Sequence, residues 1–227
     1  MAPAEQKVKE IKQSFRLQMD GSVAQAMRDK GLDYHLNWGV TLPRLREMAD
    51  EIRAEYAAEG ADRTVTPEGG DSSSPLYSLS LTLWKENVRE CKILATMLMP
   101  ASEILPEVVD IWMEQTHTLE IAEQAAFNLY QHLPYAADKA YQWLASPLPL
   151  TQTCGYHVLC RLFMQGCEPN ERGISEFIDQ ALTALQADDV PLRKAAMNAM
   201  IRFADLSLMH HRLAASALKT IGMTVDF

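Results

Sequence analysis

The chain has 227 residues, 48 % of them hydrophobic and 22 % charged, with a net charge of −9 and a pI of about 5.2. That balance is enough to bury a core and to stay soluble, and no apolar run reaches the ~18 residues of a membrane span. The acidic total also departs from the basic footprint usual for a nucleic-acid binder.

The N-terminus, MAPAEQKVKE, is polar and mixed in charge, unlike a secretory signal. Apolar residues then recur at three- and four-residue spacing. This predicts helices near 4–18, 20–30, 42–57, 75–85, 87–99, 102–115, 118–132, 135–145, 149–165, 173–186, 190–204 and 207–221. Pro43 sits in the first turn of the third segment, where its missing N–H is harmless. Pro100, Pro134 and Pro147 each follow a helical run and stop it, and Pro191 opens one. Gly166 and Gly222 stand where C-terminal caps belong. No segment alternates in the manner of a strand.

The stretch GADRTVTPEGGDSSSP, residues 60–75, interrupts this rhythm and reads as an exposed, flexible loop. The later helices pair as 102–115 with 118–132, 135–145 with 149–165, and 173–186 with 190–204. Their starts lie about 33 and 38 residues apart, near the HEAT and armadillo interval. The expectation is all-α: one solenoid domain over 1–227, of about six antiparallel helix pairs, with a globular bundle as the alternative.

Charge is unevenly spread. Residues 64–148 hold four Lys/Arg against eleven Asp/Glu, a balance of −7, while the flanking regions are nearly neutral. Cys91, Cys154, Cys160 and Cys167 form no CxxC pair, and three share one helical stretch, which argues against a disulfide framework and for a reduced, cytoplasmic setting. His210 and His211 are adjacent and splay apart on a helix. His117, His132 and His157 lack ligand spacing, so neither a metal nor a cofactor is expected. Cys154 and His157 are three apart, but in an apolar helix where a core cysteine is the expected role.

Glu120 and Glu123 of HTLEIAEQAA share a helical stripe with Phe127 and Tyr130. Two readings stand: a pocket for a cationic ligand, held by carboxylates and ring faces, or first-turn acids favoured by the helix dipole above packed aromatics. Trp38, in the loop before a helix, is a candidate stacking residue, whereas Trp84, Trp112 and Trp143 are expected in the core. Arg44 and Arg46 point to different faces of one helix. With Lys194 they are candidates for phosphate contact, against ion pairing with the interleaved acids. Arg89-Glu90 reads either as a buried ion-pair motif between repeats or as a solvated face.

YHLNWGVTLPRLREMADEI (34–52), LTLWKENVRECKILATMLM (81–99) and the region of HTLEIAEQAA together resemble the HEAT-like-repeat DNA alkylation repair family, the AlkD-type alkylpurine DNA glycosylases, over roughly residues 30–205. The resemblance implies a right-handed α-solenoid whose concave face holds duplex DNA. It also implies excision of cationic alkylated purines by a carboxylate beside an aromatic cleft. The family motif Trp-Asp-x-x-Asp falls on Leu119-Glu120-Ile121-Ala122-Glu123, making Glu123 the candidate catalytic acid and Glu120 its neighbour. A second family tryptophan follows a Lys-Ala pair, matched by Lys194-Ala195, and its place is taken by Asn198. An arginine expected near Gln152 to Cys154 has no counterpart. With leucine and asparagine where the cleft needs tryptophans, the expectation is a DNA- or damage-recognition scaffold rather than a working glycosylase. Its rival is a non-enzymatic protein-binding solenoid whose acidic middle takes a basic protein or peptide.

Overall fold

The computed structural model describes residues 3–32, 34–61 and 74–224, the side chains of 59–61 excepted. Twelve α-helices and a 3-10 turn occupy the described residues, with no strand among them. They are α1 (Pro3–Leu17), α2 (Gly21–Asp29), α3 (Leu42–Ala61), α4 (Pro75–Lys85), α5 (Arg89–Leu98), α6 (Pro106–Glu114) and α7 (Leu119–Asn128). After the 3-10 turn Tyr130–His132 come α8 (Ala136–Leu144), α9 (Pro149–Met164), α10 (Glu171–Leu185), α11 (Val190–Ala204) and α12 (Leu208–Thr220). Most of the loop expected at 60–75 lies outside the described residues.

The helix starts follow from the punctuation. Asp20, Ser74, Thr118, Asn170, Asp189 and Ser207 each accept a first-turn N–H through the side chain, satisfying donors the helix itself leaves open. Prolines open α4, α6, α9 and α11. Gly166 ends α9 at φ +78°, and the Cys167 N–H turns back to the Leu162 carbonyl at 3.0 Å.

The chain divides into two compact units, Met1–Leu129 and Tyr130–Phe227. In the first, α5 packs on α3, α4 and α7, and α4 packs on α1. The indole of Trp112 in α6 stacks on that of Trp84 in α4, centroids 4.1 Å apart and planes 4° from parallel. Two rows result, α3–α5–α7 and α1–α4–α6. The sequential pairing expected of 102–115 with 118–132 is therefore secondary: α7 lies on α5, because its buried face (Ile121, Ala122, Ala125, Ala126) is small enough for close approach.

In the second unit α8 packs on α9 and α10 on α11, as the sequence pairing anticipates, and α9 packs broadly on α11. Phe163, Phe177 and Phe203 meet edge-on or tilted at 5.0–5.6 Å and fill the core between them. Gly155 sets the α8–α9 distance, since a Cβ there would stand 3.0 Å from the Ala140 carbonyl oxygen.

Candidate functional site

In the first unit the chemistry centres on Arg89, fully buried at the start of α5. Its Nε and Nη2 donate to the two Glu120 oxygens at 2.8 and 2.5 Å, and Nη1 donates to the Val40 carbonyl at 2.9 Å. Neighbouring Glu90, also fully buried, accepts the backbone N–H groups of Trp38, Gly39 and Val40 at 3.0–3.2 Å through one oxygen. Arg89-Glu90 thus ties the loop before α3 to α5, and Glu120 ties α7 to both. The buried ion-pair reading of this dipeptide is the one realised.

This geometry decides the role of Glu120. Burial pushes its carboxyl up, but the hydrogen bonds and charge of Arg89, with the Tyr34 hydroxyl donating at 2.5 Å, outweigh that and hold it below the ordinary carboxylate value. Both oxygens are engaged, so Glu120 is an anchor between elements. Tyr34, which the sequence reading passed over, is its third partner. The 86-residue separation leaves no local signal for it.

Glu123 faces outward on α7. Partial burial, and then the charge of Glu120, push its carboxyl above the ordinary value. One turn on, Phe127 is 38 % exposed and carries the Arg46 guanidinium 5.8 Å above its ring. Arg46 of α3 and Glu123 and Phe127 of α7 thus share the outer surface of this row.

Three expectations are corrected. Tyr130 does not continue the Glu120–Phe127 stripe: α7 ends at Asn128, Leu129 leaves helical geometry (φ −127°, ψ −59°), and Tyr130 is buried in the second unit against Trp143 at 5.1 Å. Trp38 is no exposed platform, since its ring packs on Phe15 at 5.6 Å and is half-buried. Arg44 is engaged by Glu47, Glu51 and Gln18 at 2.6–3.0 Å, so ion pairing prevails there. Trp84, Trp112 and Trp143 are buried, as expected.

Lys194 and Asn198 stand in the second unit, exposed one turn apart on α11. The α9 side of the same surface lies close by. The Cys160 thiol reaches the Asn198 carbonyl at 3.9 Å, and the charges of Arg161 and Arg202 both act on it. Burial and the Arg161 charge also hold the His157 imidazole below its ordinary value. Arg202 has a salt bridge to Asp205 at 2.9 Å. Cys154 is buried and its thiol is pushed up by burial, a core cysteine. Among the described residues no group of three or more His, Cys, Asp or Glu is arranged to hold a metal ion, and no helix is long and apolar enough to cross a membrane.

These rows of paired helices define a HEAT-like-repeat protein. A solved structure from a new family of proteins related to the HEAT-like repeat DNA glycosylases, with affinity for branched DNA structures, is similar in fold at a TM-score of 0.72. The likeness covers 96 % of this chain and 85 % of that one, at 15 % identity. The chain belongs to the DNA alkylation repair enzyme family, whose model matches residues 11–222. No curated protein matches its sequence significantly.

Proposed function

We propose that this protein is a DNA-recognition scaffold of the alkylation repair family that binds duplex or branched DNA without excising bases. The observation that carries it is the exposed row Lys194, Asn198 and Arg202 at four-residue spacing on α11, with the α9 Cys160 thiol against the Asn198 carbonyl and the charges of Arg161 and Arg202 acting on that thiol. Such side chains neutralise phosphates without reading sequence. The affinity for branched DNA stated for the structurally similar protein supports the same reading. Loss of excision is supported by Leu119 and Asn198, which stand where the family resemblance places the cleft tryptophans. Glu123 is the one acid left facing outward in the motif. If any glycosylase chemistry persists, it falls to that residue.

Two measurements test this. Anisotropy titrations of labelled duplex and four-way junction at low and moderate salt are expected to show salt-sensitive binding. Duplexes carrying N3- or N7-methylpurines are expected to release no base. Absent salt-sensitive binding sinks the DNA reading. Base release that disappears in a folded Glu123→Gln variant overturns the non-catalytic one.

A further inference from the structure

The first unit holds a cavity of about 530 Å³ that none of the roles above uses. Its volume lies in the range of small-ligand sites. Its wall comes from three segments: Tyr34 and His35 before α3, the α4–α5 turn, and Gln115, Thr116, His117, Thr118 and Ile121 at the approach to α7. Lys85, Lys92, His35 and His117 all line it, and no carboxylate does. In a region whose overall balance is −7, this local sign is the reverse of its surroundings.

The two lysines differ in setting. Lys85 is exposed at the end of α4. Lys92 is half-buried, its ammonium 4.2 Å from the centre of the Trp84 ring and donating to the Trp84 carbonyl at 3.2 Å. Both of those partners are neutral. Burial holds the Lys92 ammonium below its ordinary value, so an anion that paired with it would relieve a desolvated charge. The Arg89 guanidinium at the back is already neutralised by Glu120, which fixes the wall without adding repulsion for an anion.

The backbone contributes the same sign. Val88 and Thr118, the N-caps of α5 and α7, both line the cavity, which therefore lies beside the positive ends of two ten-residue helices, with the bordering Arg89 and Ile121 N–H groups already taken by the Leu36 carbonyl and the Thr118 hydroxyl. Lysines beside the positive ends of helices are a setting for phosphate oxygens. The exposed imidazoles of His35 and His117, with the Asn87 amide, add donors and flat faces at the mouth.

We infer that this cavity is a phosphate-binding site for a nucleotide-sized ligand, with Lys85 and Lys92 holding the phosphate. The phosphate has two sources of one chemistry, a free mononucleotide or the 5′-phosphate end of a DNA strand. The inference does not depend on duplex binding by the α9–α11 surface, which lies in the other unit.

The test is calorimetric titration of the full chain with AMP and adenosine, and anisotropy with a short single strand bearing a 5′-phosphate or a 5′-hydroxyl. AMP is expected to bind at least about tenfold more tightly than adenosine, a difference of about 1.4 kcal/mol. Lys85→Glu is expected to weaken AMP binding at least about fivefold with the circular dichroism unchanged. His117→Ala, also at an exposed position, is expected to weaken it less. Lys219→Glu, the same charge change in the other unit, is expected to leave it unaltered. Preference for the 5′-phosphorylated strand assigns the site to DNA ends, and AMP binding without that preference assigns it to free nucleotides. Equal affinity for AMP and adenosine overturns the inference. So does an equal loss in Lys85→Glu and Lys219→Glu, which would reduce the effect to net charge.

Discussion

Arg89 illustrates how one buried side chain is made tolerable and then indispensable. Removing a guanidinium from water is costly, and only the paired oxygens of Glu120, the Val40 carbonyl and the Glu90 charge compensate it. Arg89→Ala leaves two carboxylates without their cation and is expected to lower stability by about 3–5 kcal/mol in urea denaturation. Glu120 gives the effect a pH signature. Its folded-state carboxyl is held below the ordinary 4.5, so its contribution is complete above that value and is lost as pH falls through the lowered one. The stability gap between wild type and Glu120→Gln is therefore expected to be full at pH 7 and to narrow in acid below pH 4.5, and a gap independent of pH contradicts the assignment. Glu123 has the opposite shift, raised by burial and by the Glu120 charge. From the sequence the two glutamates look like one site, since spacing of three places them on one helix face. The helix period gives that angle, but not which neighbour fills it. Arg89 and Tyr34 reach Glu120 from 31 and 86 residues away, so its commitment had no local trace.

At the scale of elements, the helices were legible because their ends are chemically marked: side-chain caps, opening prolines and terminal glycines sit where the expected boundaries fall. What failed was extrapolation past a helix end. The 3.6-residue period carries Tyr130 onto the Phe127 stripe only if α7 continues, and Leu129 breaks it. Pairing by sequence adjacency also favoured α6 for α7, whereas the alanine face of α7 makes α5 the closer neighbour. The loop before α3 shows what such joins demand. Gly39 has φ +76°, donates to Glu90 at 3.0 Å, and passes so close to α2 that an added Cβ would meet the Asp20 carbonyl oxygen at 2.1 Å. Gly39→Ala is expected to cost more than about 2 kcal/mol, because backbone overlap adds to the left-handed strain. Gly166 has the same sign of φ with open space around it, so Gly166→Ala is expected to cost only about 1 kcal/mol. Similar losses for both in parallel thermal melts would remove the close approach as the cause.

For the whole molecule the governing quantity is where charge lies rather than how much there is. A net charge of −9 opposes nucleic acid at long range, and residues 64–148 concentrate that opposition. Binding through the α9–α11 surface must then be short-range, carried by few phosphate contacts, and weakened steeply by salt only in proportion to their number. With about two contacts, raising NaCl from 50 to 200 mM is expected to weaken duplex binding about tenfold, far less than for a protein with a broad basic groove. Lys194 is the exposed cation best placed to make one of them. Lys194→Ala is expected to weaken all duplex sequences alike and to reduce the slope of log affinity against log salt by about one. Asn198→Trp places a ring where the family resemblance puts one, and on this surface it is expected to increase affinity without restoring base release, because Leu119 still stands at the other tryptophan position. A salt slope unchanged by Lys194→Ala would move the DNA contact away from α11. Base release by Asn198→Trp would show that a single ring at that position is enough to restore the chemistry.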